Sequence, residues 1–280
     1  MITNNPMQLK AFIKMKASEK NISAQLIMQN YMLERLLERI SISKYQDNFI
    51  LKGGFLIASI VGLDTRATMD LDTTIKGFTL TQESIREIFD EVCKIPVEDD
   101  IVFSITNIAD IRETDDYPGI RVSLTASYPP LNVPLTVDVT TGDRITPKEI
   151  QYTFQLLFDN RSIQILAYNL EIVLAEKIET VLSRNIANTR PRDFYDIHIL
   201  YILRGTECDL KILKSAIIET SIKRGSENVI PQFESIMSNI QISPNMQNFW
   251  LRYQKEFNYA KDISFDDTCN TILQIMRSVL

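Results

Sequence analysis

Residues 49–77 read FILKGGFLIASIVGLDTRATMDLDTTIKG, and the order of features in this stretch decides the fold. A short apolar run, Phe49-Ile50-Leu51, leads through Lys52 to Gly53 and Gly54, and after fifteen intervening residues the chain reads Asp70-Leu71-Asp72. The pattern predicts a strand over 49–51, a helix over 54–62 ended by Gly62, and a strand over 69–75. Glycine lacks a Cβ, so the backbone at a strand-to-helix junction can approach an anion, and the helix N-terminus supplies N–H donors. Aspartates at i and i+2 on a strand point to one face, a few ångströms apart. Two like charges that close are costly unless a divalent cation sits between them. Alone, a Gly-Gly is a plain turn and an Asp-x-Asp is two solvated acids. Joined by one short helix, they point to a metal-dependent enzyme that handles a nucleoside triphosphate.

Working outward, residues 1–20 read as a small helical or extended lead-in. From Asn21, read as an N-cap, the apolar residues Ile22, Leu26, Ile27, Met32, Leu33, Leu36, Leu37 and Ile40 recur at helical spacing up to about Ser43. Thr81 is expected to cap a helix with Ile85, Ile88, Phe89 and Val92 on its buried face. The period then shortens to two. IVFSITNI, GIRVSLTASY and VPLTVDVTTG read as strands, separated by turns such as Asp115-Asp116-Tyr117-Pro118-Gly119, and Asp143 reads as a turn residue. Further short strands are expected at 152–158 and 162–167. Asn169 caps a helix running to about Arg184, and the remainder is mainly helical, with a last helix after Asp266-Asp267. The expected class is α+β, with a sheet domain over 1–167 and a mainly α-helical domain over 168–280.

Bulk properties remove several classes. With 280 residues and 45% apolar content, the chain can bury one large core or two moderate ones. No apolar run reaches membrane-spanning length, and the start, MITNNPMQLK, lacks a signal-peptide layout. Cys93, Cys208 and Cys269 lie far apart, in no metal-ligand spacing, which fits reduced thiols in a cytoplasmic protein. His198 is the single histidine, so zinc sites and histidine triads are nearly excluded. Neither a P-loop nor a Gly-x-Gly-x-x-Gly is present. The net charge of −6 argues against a broad basic surface for nucleic acid, though not against a local one. Lys177, Arg184, Arg190 and Arg192 form one basic region; Lys211, Lys214, Lys223 and Arg224 form another that reads equally well as ordinary mixed-charge surface. Trp250, beside Phe249, reads as helical core.

Other acids and one lysine are candidates. In PLTVDVTTGD, Leu135, Val137 and Val139 face the core, so Thr136, Asp138 and Thr140 share the opposite face. Asp138 is either an exposed strand acid or a third carboxylate beside Asp70 and Asp72, which in nucleotidyl transfer can deprotonate the attacking hydroxyl or hold a second metal. Lys177 in LAEKIETVLSR, on residue type alone, reads as a solvated helix lysine whose replacement leaves stability nearly unchanged. In RPRDFYD, Pro191 suits a first helical turn, and Asp193 is a dipole-complementing acid. Arg192 and Asp196 stand at i, i+4 and can form an ion pair.

The 49–77 stretch, with Ala175-Glu176-Lys177 and Arg190-Pro191-Arg192-Asp193-Phe194-Tyr195-Asp196, resembles the AbiEii/AbiGii toxin family within the DNA polymerase β-like nucleotidyltransferase superfamily. The resemblance spans about residues 45–200 and implies a nucleotidyltransferase-type mixed sheet. It implies that Gly53 and Gly54 bind the triphosphate of an NTP, that Asp70 and Asp72 (with Asp138) bind its Mg2+, and that Lys177 is an essential phosphate-neutralising residue. A catalytic aspartate is implied at Asp193 or Asp196, with Asp193 preferred and Asp196 paired to a local arginine or supporting from behind. Some family members carry serine at the second glycine; here Gly54 leaves backbone N–H donors alone. The resemblance further implies an RNA acceptor, the 3′ end of tRNA, growth arrest in abortive infection (phage defence), and a co-transcribed winged-helix antitoxin that need not touch this chain. The sheet-domain and helical-domain residues are expected to line one pocket. Two rival readings share the carboxylates: a small-molecule nucleotidyltransferase of the antibiotic-modifying type, and a non-catalytic nucleotide-binding regulator.

Overall fold

Branched apolar residues alternating with polar ones build the strands, and capped helices join them. A computed structural model describes residues 5–111, 119–142 and 145–280. Asp115, Asp116, Tyr117, Pro118 and Asp143, read as turn residues, lie outside the described residues. Two units are formed: Met1–Asp143 with Ile150–Ala167, and Arg144–Glu149 with Tyr168–Leu280.

The first unit opens with α1 (Pro6–Lys20), α2 (Ala24–Ser41), β1 (Phe49–Lys52), α3 (Gly53–Val61), β2 (Asp70–Ile75) and α4 (Gln82–Val92). The strands β3 (Val102–Ile111), β4 (Gly119–Tyr128), β5 (Leu131–Thr141), β6 (Ile150–Gln155) and β7 (Ser162–Ala167) complete it. Among the described residues these strands form one mixed sheet in the order β3-β4-β5-β2-β1-β7-β6. β1 runs antiparallel to β2 and parallel to β7, and β2 runs parallel to β5. Gly62, at φ 97, closes α3 by donating its N–H to Ala58 O, because only glycine takes that backbone conformation without strain. Thr81 caps α4 in a reciprocal capping box with Ser84.

One open reading is resolved and two expectations are corrected. The lead-in is a full helix, begun by Asn5 and Pro6. Asn21 does not start α2; it ends α1 in the left-handed conformation at φ 53, and Ser23 supplies the cap, accepting a hydrogen bond from Leu26 N at 3.1 Å. Asparagine suits both jobs, since its short polar side chain tolerates positive φ as well as capping N–H groups. The strand expected at 152–158 is β6, which begins two residues earlier at Ile150 and ends at Gln155, whereas GIRVSLTASY forms β4 over the bounds expected.

α2 packs against β5 and β7 and is buried almost all round. Its apolar stripe accounts for one side only; the other carries Glu34, Arg35, Glu38 and Arg39, which are ion-paired inside the protein. Arg39 makes a two-pronged pair with Asp99, 2.7 and 2.8 Å, and donates to Ile101 O. Arg35 pairs with Glu34 at 2.7 Å and with Glu38 at 2.6 Å, and Arg161 reaches Glu38 at 2.7 Å. A buried charge is tolerated when paired and hydrogen-bonded in this way.

The second unit is helical: α5 (Leu170–Arg184), α6 (Pro191–Arg204), α7 (Leu210–Lys223), α8 (Phe233–Ile242), α9 (Pro244–Glu256) and α10 (Phe265–Val279). Asn169 caps α5 through Ile172 N at 2.8 Å. Ser264, not the Asp266-Asp267 pair, caps α10, and both aspartates fall within its first turn. Trp250 is core: it is 2% exposed, packs on Tyr253 and Phe265, and donates from Nε1 to Ile263 O at 3.0 Å.

Candidate active site

Strand register places the charged residues of the sheet. Lys52 on β1 is opposite Asp72 on β2, Asp72 is opposite Asp138 on β5, and Asp138 is opposite Arg121 on β4. Register partners project to one face, so these four side chains form a row across four neighbouring strands, ordered plus, minus, minus, plus. The adjoining row of the opposite face, Leu71, Val137 and Val122, is wholly buried at 0% exposure each. Asp70, two residues from Asp72, shares the polar face and is exposed, whereas Asp72 is half-buried.

Asp72 is held by the glycine turn. Its Oδ2 accepts the Gly54 N–H at 3.2 Å. Gly53 sits at φ +65, and a Cβ built on it would stand 2.1 Å from that same oxygen. The junction must therefore be glycine for two reasons, conformation and space. Burial pushes the Asp72 carboxyl above its ordinary value; the Gly54 N–H and Lys52 pull it down, and Asp138 and Asp70 push it further up. The expectation that both glycines stand open to phosphate is changed accordingly. Gly53 makes room for a carboxylate and Gly54 donates to it. At Gly54 a Cβ would meet Thr68 Oγ1 at 2.8 Å and Arg66 Nη2 at 2.9 Å, so these two side chains fill the place a serine would take.

Asp138 is not an isolated strand acid. Arg121 grips both its oxygens, Nε to Oδ1 at 2.8 Å and Nη2 to Oδ2 at 2.7 Å. Arg121 was missed in the sequence because its partner, Asp138, lies 17 residues further along the chain. Its signal lay in a hairpin: Tyr128 pairs with Leu131 across Pro129-Pro130, and counting back along both strands puts residue 121 opposite 138.

Asp70 and Asp72 are the hard oxygen donors that a divalent cation such as Mg2+ takes, and they project to one face, so these residues fit a metal. Asp138 fits as a further ligand only when Arg121 yields an oxygen. Among the described residues no group of three or more His, Cys, Asp or Glu side chains is gathered closely enough to hold a metal as it stands.

In the second unit, Lys177 on α5 bridges both acids of α6. Its Nζ lies 2.9 Å from Asp193 Oδ1 and 2.8 Å from Asp196 Oδ2. Asp196 is 0% exposed and Asp193 8%. Lys177 is thus no solvated helix lysine, and the expectation that its loss leaves stability nearly unchanged is overturned: it neutralises two buried carboxylates. The two acids differ in one respect, since Asp193 Oδ2 is buried with no hydrogen-bond partner. Arg192 lies over the Phe257 ring, 5.6 Å from its centroid. Of the second basic region, Arg224 turns inward to Glu179, Glu176 and Thr180, so it ties α7 to α5. His198 Nδ1 meets Thr271 Oγ1 at 2.8 Å, and burial holds its ring below the ordinary histidine value.

Comparisons with known proteins identify the family. Residues 35–271 match the family described as nucleotidyl transferase AbiEii toxin, type IV TA system. Curated proteins give no match by sequence. Among solved structures, the chain is similar to a candidate nucleotidyltransferase from H. pylori, with 15% identity, a TM-score of 0.49, and 92% of this chain and 96% of the other covered. It is likewise similar to JHP933 from Helicobacter pylori, with 12% identity, a TM-score of 0.49 and 92% of each chain covered. An antigenic nucleotidyltransferase-like protein from Paracoccidioides brasiliensis matches at 14% identity and a TM-score of 0.41, over 72% of this chain and 92% of that one. The structural likenesses are too distant to carry weight, whereas the family match runs through both units. The chain belongs to the AbiEii toxin family of type IV toxin–antitoxin systems and is a nucleotidyltransferase.

Proposed function

We propose that this chain is a Mg2+-dependent toxin that transfers a nucleoside monophosphate from an NTP to RNA, at the 3′ end of tRNA, and so arrests growth during phage infection. The observation that supports this reading best is the polar row Lys52–Asp72–Asp138–Arg121, with Asp70 beside it and Asp72 fastened to the glycine turn by Gly54 N–H. Asp70 and Asp72 would hold the metal, joined by Asp138. When bound, the metal supplies neutralising charge to the triphosphate and to the departing pyrophosphate. Lys52 and Arg121 flank the carboxylates and offer cations to phosphate oxygens. The attacking hydroxyl oxygen forms the new bond to the α-phosphorus, the bond to the bridging oxygen breaks, and pyrophosphate leaves.

Lys177, Asp193 and Asp196 are assigned to the same reaction from the family resemblance. Lys177 provides a point cation for triphosphate. Between the acids, Asp193 is preferred, since it keeps some exposure and Lys177 engages only one of its oxygens, while Asp196 holds Lys177 from a fully buried position. The site of action is the cytoplasm, and the counteracting partner is a winged-helix antitoxin made from the same transcript. The test is incubation of the purified chain with each α-labelled NTP, Mg2+ and total RNA. Label in tRNA supports the reading. Label only on an added aminoglycoside-type acceptor favours the small-molecule alternative, and no transfer favours a nucleotide-binding regulator.

A further inference from the structure

Arg121 and Asp138 form a pair whose logic goes beyond holding two strands together. The sheet already pairs β4 with β5 along ten registered positions, so their register does not depend on this contact. The guanidinium spends two donors on one carboxylate, and its side chain is 48% exposed against 18% for Asp138. The result is that Asp138, which stands in register beside Asp72, has both oxygens covered. A cation approaching Asp70 and Asp72 can recruit Asp138 only by taking an oxygen from Arg121. The displaced guanidinium would then be a half-exposed cation without its carboxylate, next to carboxylates whose charge the metal has cancelled. Its five donors in a rigid fork match a phosphate as well as they match a carboxylate. A polyphosphate brought in with the metal restores the lost pair, so neither charge is left alone.

We propose that Arg121 is a phosphate-binding and positioning residue that covers Asp138 until a metal–polyphosphate complex arrives, then exchanges the carboxylate for a phosphate oxygen. This rests on the reading of Asp70 and Asp72 as metal ligands. The exchange gives the site an order: Asp138 is withheld from a cation arriving alone and released to one arriving with triphosphate. It also predicts two effects of opposite sign from one substitution, which a merely structural residue does not produce.

The experiment uses Arg121→Gln and Arg121→Lys in the full chain, with melting curves to confirm folding, since position 121 lies on an exposed strand face. Binding of Mn2+ alone is read from the loss of its free-ion EPR signal. In Arg121→Gln it is expected to tighten about three- to five-fold, the scale of a partly exposed ion pair. Binding of the Mn2+–tripolyphosphate complex is expected to weaken about ten-fold, the scale of hydrogen bonds to a charged group. Arg121→Lys, a cation without the fork, should tighten Mn2+ while retaining part of the tripolyphosphate affinity. If Asp72→Asn abolishes Mn2+ binding but Arg121→Gln matches wild type in either measurement, the exchange is wrong and the metal reading stands. If Asp72→Asn leaves Mn2+ binding at the wild-type level, or wild type binds none, the metal reading falls and the exchange with it.

Discussion

Replacing Gly53 by alanine tests whether the glycine turn exists to place Asp72. The new Cβ would stand 2.1 Å from Asp72 Oδ2 and 2.6 Å from its Cβ and Cγ. Carbon and oxygen do not approach that closely, so the whole Asp72 side chain must retreat by about 1 Å to reach ordinary contact. Rotation cannot relieve the clash, because Cβ is among the atoms struck. The 3.2 Å hydrogen bond from Gly54 N is lost in the same movement. Alanine at φ +65 adds about 1–2 kcal/mol of backbone strain. A displacement of about 1 Å at a reacting centre lowers turnover roughly 10²-fold. Gly54→Ala is the control. Its Cβ meets the buried Thr68 Oγ1 at 2.8 Å and Arg66 Nη2 at 2.9 Å but not Asp72, so it should cost stability while lowering the rate less than Gly53→Ala does. Initial rates of label transfer and denaturant unfolding, measured on both variants, read the two effects. Equal losses in the two variants, or wild-type transfer by Gly53→Ala, would refute the claim that Gly53 makes room for Asp72.

Three further outcomes are expected. Asp70→Ala or Asp72→Ala should lower transfer by roughly 10²-fold or more with the fold intact, and a folded double variant that still arrests growth removes the metal from the account. Lys177→Ala should destabilise the second unit by about 3 kcal/mol, because Asp193 and Asp196 lose their shared cation, and adding Asp196→Asn should recover part of that without restoring transfer; an unchanged unfolding curve contradicts the cluster. Glu34 is raised by burial from 4.5 to about 7, so from pH 4.5 upward the unfolded chain ionises while the folded one does not, and stability falls as pH rises through about 7. Glu34→Gln should flatten that fall in urea unfolding, and an identical pH profile in the variant refutes it.

What could be read from the sequence was local. The helix closed by Gly62, the caps at Thr81 and Asn169, and the shared face of Asp70 and Asp72 each follow from a few adjacent residues and a fixed period. The ambiguous residue Asn21 misled because it serves helix ends of both kinds, and only Ser23 two positions on resolves it. The burial of the charged side of α2 was not legible, because its partners, Asp99 and Arg161, lie far along the chain. The candidate site divides the same way. Its carboxylates were legible by strand alternation, but Arg121 becomes visible only through the register of β4 on β5, and the role of Lys177 only through the packing of α5 on α6. The crowding of Gly53 by Asp72 is a contact between a turn and the strand beside it, which no local pattern encodes.

The most direct measurement compares wild type and Asp72→Asn for transfer of α-labelled nucleotide to total RNA at several Mg2+ concentrations. Asparagine keeps the shape of the side chain and an oxygen for Gly54 N–H while removing the charge. The account predicts Mg2+-dependent labelling of tRNA by wild type and a loss of roughly 10²-fold or more in the folded variant. Transfer by Asp72→Asn at the wild-type rate, with the same Mg2+ dependence, would contradict it.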